Sequence, residues 1–171
     1  YLDHNATTPV DPTVIEAMVP YLGARFGNAS SVHAFGRDAK VALEQARESV
    51  AAFINCEPAE LFFTSGGTES DNIAILGIAE QMKSRKTHLI VGAAEHPAIH
   101  EPAEMLARKD KCSLDYLPVN EDGFSNADEL RQLVTDNTAL VSVMHGNNET
   151  GAIQDVASLV EAAHEKECLF H

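Results

Sequence analysis

From residue 61 onward, short apolar runs alternate with longer segments of helical periodicity. The runs are Leu61–Ser65, His88–Ala93, Ser113–Val119, Leu140–His145 and Cys168–His171. Between them the pattern predicts helices to about Lys83, from Pro97 to about Lys109, from Ser125 to about Thr135, and from about Asp155 to Glu167. Strands that are nearly continuous in apolar residues are buried on both faces, and the alternation makes the helices crossovers between parallel strands. The expected fold class is α/β, a mostly parallel sheet with helices on both faces. Such a sheet places ligands outside the carboxyl ends of its strands, so the strand-to-helix junctions are where chemistry is expected.

Ahead of this region, Pro12–Leu22 reads as a short helix capped by Asp11, with proline tolerated in the first turn. Gly23 and Gly27 bracket a loop that runs through FGNASSVHAFG. Asp38–Ile54 reads as a helix, with Ala39, Ala42, Leu43, Ala46, Val50 and Phe53 at helical spacing. Ser125-x-x-Asp128 has the form of a capping box. The expected organisation is an N-terminal segment with a short helix over 1–30 and an α/β domain over 31–171. The run at 168–171 starts a strand just where the sequence stops, so the chain reads as the first part of a longer one, or as a piece that pairs with another.

The formal net charge of −14 argues against nucleic acid or an anionic membrane as the main partner. No stretch approaches the roughly 18 apolar residues of a membrane span. Cys56, Cys112 and Cys168 are widely separated, odd in number and form no C-x-x-C, which points to a reducing compartment and to small core residues.

Three junctions are unusual. Ser65-Gly66-Gly67-Thr68-Glu69-Ser70 leads directly into a helix. A helix N-terminus with glycines and hydroxyls suits a phosphate, although a capped tight turn has the same composition. The motif is neither G-x-G-x-x-G nor a P-loop. Ala94-Glu95-His96-Pro97 puts an imidazole at a strand end, where it could stack on a ring, move a proton or bond its own loop. His145-Gly146-Asn147-Asn148-Glu149-Thr150-Gly151 offers amides that fit either turn chemistry or a cleft. No metal site is expected: His96 and His100 are four apart, with no evident third ligand. On one sheet edge, an anion cradle, an imidazole and amide donors make a composite site for a phosphorylated planar cofactor.

These segments carry a resemblance. YLDHNATTPVDP, FGNASSVHAFG, FFTSGGTESDN, the Glu95-His96 pair, MHGNNETGAIQD and the final LFH occur in order over nearly the whole chain. Together they resemble the pyridoxal-phosphate-dependent cysteine desulfurases of the class V aminotransferase group. The resemblance implies the large cofactor-binding domain of a fold type I enzyme. Gly67 and Thr68 would hold the phosphate of pyridoxal 5'-phosphate. His96 would stack on the pyridine ring and assist proton transfers, and Asn148 would bond the phenolic oxygen. Asn5, Ala6 and Thr7 would approach the substrate. The implied reaction takes sulfur from L-cysteine, giving L-alanine and an enzyme persulfide for iron–sulfur cluster assembly or other sulfur transfer. A homodimer, a sulfur-acceptor or scaffold protein and a cytoplasmic location follow from the same resemblance. Asn28-Ala29-Ser30-Ser31 departs mildly from the Asn-Pro-Ser-Ser that the family often carries. In the family the Schiff-base lysine and the sulfur-accepting cysteine lie beyond position 171, so the 171 residues alone are expected to be inactive. A selenocysteine lyase, another class V carbon–sulfur lyase, and a non-catalytic phosphate-binding module are the alternatives.

Overall fold

The computed structural model describes residues 1–81 and 87–171. They form two compact units, Tyr1–Phe63 and Thr64–His171.

In the first unit, α1 (Pro12–Leu22) begins as expected, with the Asp11 carboxylate accepting the Thr13 N–H at 2.8 Å. The next helix, α2 (Ala34–Ile54), starts at Ala34 rather than Asp38. The reason is a cap that composition does not advertise: His33 Nδ1 accepts the Gly36 N–H at 3.3 Å. The preceding loop is folded tightly on itself. A Cβ on Gly27 would lie 2.2 Å from the Phe35 carbonyl oxygen, and one on Gly36 would lie 2.2 Å from that of Ser31. Glycine is required at both places by close backbone approach. At the far end of α2, Asn55 takes the left-handed conformation, with φ 59°, that closes many helices.

The expected strand at Leu61–Ser65 is not formed. Leu61 is extended, with φ −95° and ψ 128°, but this run joins no ladder among the described residues. Its carbonyl instead accepts a bond from the Arg47 guanidinium, which also lies 5.0 Å from the centre of the Phe63 ring. An apolar run sets an extended backbone, whereas a strand also needs a partner.

The second unit follows the predicted alternation: α3 (Gly67–Gln81), β1 (His88–Gly92), α4 (Pro97–Arg108), β2 (Ser113–Leu117), α5 (Ala127–Leu133), β3 (Thr138–Ser142), α6 (Val156–His164) and β4 (Leu169–Phe170). The predicted helix end near Lys83 lies outside the described residues. The sheet order is β2-β1-β3-β4, and every pairing is parallel. The α5 cap needs correction. Asn126, not Ser125, accepts from the Asp128 and Glu129 N–H groups. Ser125 donates its N–H to the Gln154 side chain instead, and its buried hydroxyl has no partner among the described residues.

Alternate side chains of each strand point to opposite faces. Ile90, Leu117 and Val141 pack with Leu130, Leu159 and Cys168 against α5 and α6. Leu89, Val91 and Leu140 pack with Ile75, Ile99 and Leu106 against α3 and α4. Both faces are therefore covered. At the amino-terminal edge, His88 crosses the sheet, with Nδ1 2.9 Å from Thr138 Oγ1 and Nε2 3.1 Å from Asp115 Oδ2.

Leu159 is 1% exposed, so Leu159→Ala is expected to cost about 2–5 kcal/mol, read from the urea midpoint. Ile153 is 66% exposed, and Ile153→Ala should stay within about 0.5 kcal/mol of the parent.

Candidate functional site

All four strands point the same way, so their carboxyl ends share one edge. The loops that leave this edge after β1 and β3 carry His96 and Asn148, whereas Gly67 and Thr68 open α3, which follows no strand among the described residues. Gly67 is the first residue of α3 and Thr68 the second. Their backbone N–H groups belong to the first turn, which has no intrahelical acceptors. Space around both Gly66 and Gly67 is open where a Cβ would stand, so an anion can approach the backbone. The entry is held by its own small groups. Glu69 accepts from the Ser65 N–H and hydroxyl, each at 2.6 Å, and these bonds lower its pKa. Thr64 Oγ1 lies 2.7 Å from Ser70 Oγ.

The start of α3 is tied to two neighbours on the sheet edge. The Asn72 side chain reaches the Ala98 carbonyl of α4 at 3.5 Å, and Asp71 Oδ1 lies 3.9 Å from His171 Nε2, just past β4. Thr68 and His96 line one open cleft of about 750 Å³ between α3 and α4. His96 is the N-cap of α4, and its Nδ1 accepts the Ala98 N–H at 3.0 Å. That bond fixes the ring, and in the neutral imidazole it leaves the proton on Nε2. His100 does not join it. Its ring packs against Tyr116, 5.5 Å between centroids.

Asn148 is exposed on the loop after β3, the neighbour of β1, and does not line the cleft that Thr68 and His96 share. Glu95 and Asn147 organise that edge. The Glu95 carboxylate accepts the Met144 N–H, and Asn147 donates to the Ala94 carbonyl at 3.0 Å. Burial pushes the Glu95 pKa up to about 7; the Met144 bond opposes this and the Asp71 charge adds to it. Glu95 and Met144 are 49 residues apart, so no local pattern reveals the pair. The one signal is a carboxylate set between a buried strand and a capping histidine.

Asn5, Ala6 and Thr7 lie in the first unit, exposed, in a turn where the Ala6 N–H bonds the Asp3 carbonyl at 3.2 Å. Cys168 is part of the core, Cys112 and Cys56 are half-buried, and burial raises the Cys112 pKa.

The family of class-V aminotransferases matches residues 1–171. The chain belongs to the class-V aminotransferase family. Members of this family depend on pyridoxal phosphate. This class-V chain is 44% identical over 171 residues to the cysteine desulfurase IscS of Dictyoglomus turgidum, and 46% identical over 172 residues to that of Neisseria meningitidis serogroup C / serotype 2a. All of the chain is covered, but it spans only 43% and 42% of those relatives. Among solved structures, a NifS-like protein superposes with a TM-score of 0.95 at 39% identity, over 100% of this chain and 47% of that one. SspA in complex with cysteine gives 0.93 at 33% identity, over 100% and 49%.

Two outcomes follow for the class-V site. His96→Asn keeps an oxygen acceptor for the Ala98 N–H, whereas His96→Ala loses the cap. The alanine variant should be about 1 kcal/mol less stable than the asparagine variant by urea titration. Glu95 has a folded pKa raised above its unfolded value, so its contribution to stability is full below about pH 4.5 and is lost as pH rises through about 7. Glu95→Gln removes this dependence. The variant should gain stability relative to the parent between pH 5 and pH 8, and a constant difference would contradict the assignment.

Proposed function

We propose that the protein is a cysteine desulfurase, taking sulfur from L-cysteine to leave L-alanine with pyridoxal 5'-phosphate as cofactor. The carrying observation is 44% and 46% identity to cysteine desulfurases along the whole chain. The sheet edge supports it, because its donors suit the proposed cofactor. The open first turn of α3 fits a phosphate dianion, through Gly67 and Thr68 N–H groups and the Thr68 hydroxyl. The fixed His96 ring fits a flat heteroaromatic face, and the Asn148 amide fits a phenolic oxygen.

When bound, the cofactor supplies an electron sink for bonds at the substrate's α-carbon. The residues of this chain bind and orient. The α3 turn neutralises the phosphate by dipole and hydrogen bonds. With Nδ1 committed to Ala98, neutral His96 presents an N–H from Nε2, which makes it a donor toward the reacting groups. Asn5, Ala6 and Thr7 are proposed at the substrate, as turn residues with accessible backbone and side-chain groups. Cys168 and Cys112 are not proposed as the sulfur acceptor, since Cys168 is packed in the core and burial raises the Cys112 pKa.

A homodimer is proposed on the apolar surface of the first unit. Phe26 and Phe35 stack 5.4 Å apart at 27°, yet are 63% and 54% exposed. The α1 helix buries none of its residues, leaving Val14, Ile15, Met18 and Val19 exposed. Paired, exposed aromatics beside such a helix are a surface suited to a second copy. Light scattering of the purified protein should show a dimer, and a monodisperse monomer would remove this part of the proposal.

Thr68→Ala tests the phosphate site. Loss of a hydroxyl donor to a charged group should weaken cofactor binding by about 1.5–3 kcal/mol in an absorbance titration, with little change in melting temperature. If the hydroxyl only stabilises the helix start, the melting temperature falls and the affinity is unchanged. Alanine release from L-cysteine and from L-selenocysteine, measured side by side, separates desulfurase from selenocysteine lyase.

A further inference from the structure

We propose that Glu95 and Asn147 are the positioning residues of the site: together they clasp the β1–α4 loop to the β3–α6 loop and set the spacing between His96 and Asn148. The proposal rests on the cofactor reading for what the spacing serves.

The β1–β3 ladder stops at the pair Val91 and Ser142. Past that point the sheet no longer fixes the distance between the two chains, yet both expected ring-contacting residues lie past it. Two bonds carry the registration onward. Met144 N–H, two residues beyond β3, goes to the Glu95 carboxylate. Asn147 Nδ2 goes to the Ala94 carbonyl. Glu95 immediately precedes His96, and Asn147 immediately precedes Asn148.

Each residue is also anchored on its own side. Glu95 folds back over the end of β1, where a Cβ on Gly92 would stand 3.0 Å from its Oε1, so glycine leaves the room it needs. Asn147 Oδ1 accepts from the Glu149 N–H at 2.9 Å, the Thr150 N–H at 2.8 Å and the Thr150 hydroxyl at 3.1 Å. Its N–H and carbonyl bond Ala152 and Gly151. One side chain thus closes its loop with the oxygen and ties it to the neighbour with the nitrogen. A half-buried carboxylate near Asp71 is a costly acceptor for one amide, and burial opposes its ionisation.

The test uses Glu95→Ala, Glu95→Gln and Asn147→Asp in the protein. The first readout is hydrogen exchange at the Met144 amide without cofactor. Glu95→Ala should speed exchange by about tenfold or more, whereas Glu95→Gln, which keeps an acceptor, should stay within about threefold. The second readout is the dissociation constant of pyridoxal 5'-phosphate by absorbance titration, with the melting temperature measured alongside. Glu95→Ala should bind about tenfold more weakly, and glutamine should restore most of that. Asn147→Asp keeps the oxygens that close the loop and loses only the donor to Ala94, so it too should bind more weakly while melting near the parent. Unchanged Met144 exchange in Glu95→Ala overturns the clasp. So does lower stability in Glu95→Ala and Asn147→Asp with cofactor affinity held within about twofold. If the parent protein itself takes up no cofactor, the functional reading fails and the exchange result alone decides the clasp.

Discussion

The second unit depends on the parallel pairing of β1 with β3. That pairing puts two apolar strands at the centre of the sheet, flanked by β2 and β4, with every carboxyl end on one side. It sends Ile90 and Val141 to the α5–α6 face and Leu89, Val91 and Leu140 to the α3–α4 face. It also brings the loops after β1 and β3 side by side, although about fifty residues separate them in sequence. The site is a consequence of strand direction before it is a matter of any side chain.

On that edge the physical chemistry is divided among few groups. Helix starts supply the positive end: α3 with its open glycines, and α4 with a histidine as cap. The negative groups are held in defined bonds: Glu69 on Ser65, Glu95 on Met144. An anion entering at α3 meets N–H groups and a hydroxyl, and the one carboxylate in its first turn is already occupied by Ser65. The first unit is built differently. Its backbone is tightly closed at Gly27 and Gly36, but much of its apolar surface is open.

The fold was legible in the sequence where local pattern determines structure. Asp11 caps α1, and four apolar runs became parallel strands. It was not legible where structure depends on a distant partner. Leu61–Ser65 has the composition of a strand but no ladder among the described residues, and its Leu61 carbonyl is bonded to Arg47, fourteen residues earlier. Ser125 looked like the cap of α5, but Gln154 draws its backbone N–H away and Asn126 takes the role. At the site, the candidate residues Gly67, Thr68, His96 and Asn148 came from motifs, and the structure brings Thr68 and His96 to one cleft. Glu95 was visible only as the neighbour of His96 and Asn147 only as one of the loop amides, because the groups they bond across the edge are 49 and 53 residues away.

The central claim is that the start of α3 and the His96 ring together receive a phosphorylated pyridine. Amide and imidazole chemical shifts of the protein, followed during titration with pyridoxal 5'-phosphate and separately with pyridoxal, test it most directly. The account predicts that the phosphorylated form moves the Gly67 and Thr68 amides together with His96, and that pyridoxal, lacking the phosphate, leaves the Gly67 and Thr68 amides in place. Shifts at Gly67 and Thr68 that are absent with the phosphorylated form, or equal with both, would contradict it.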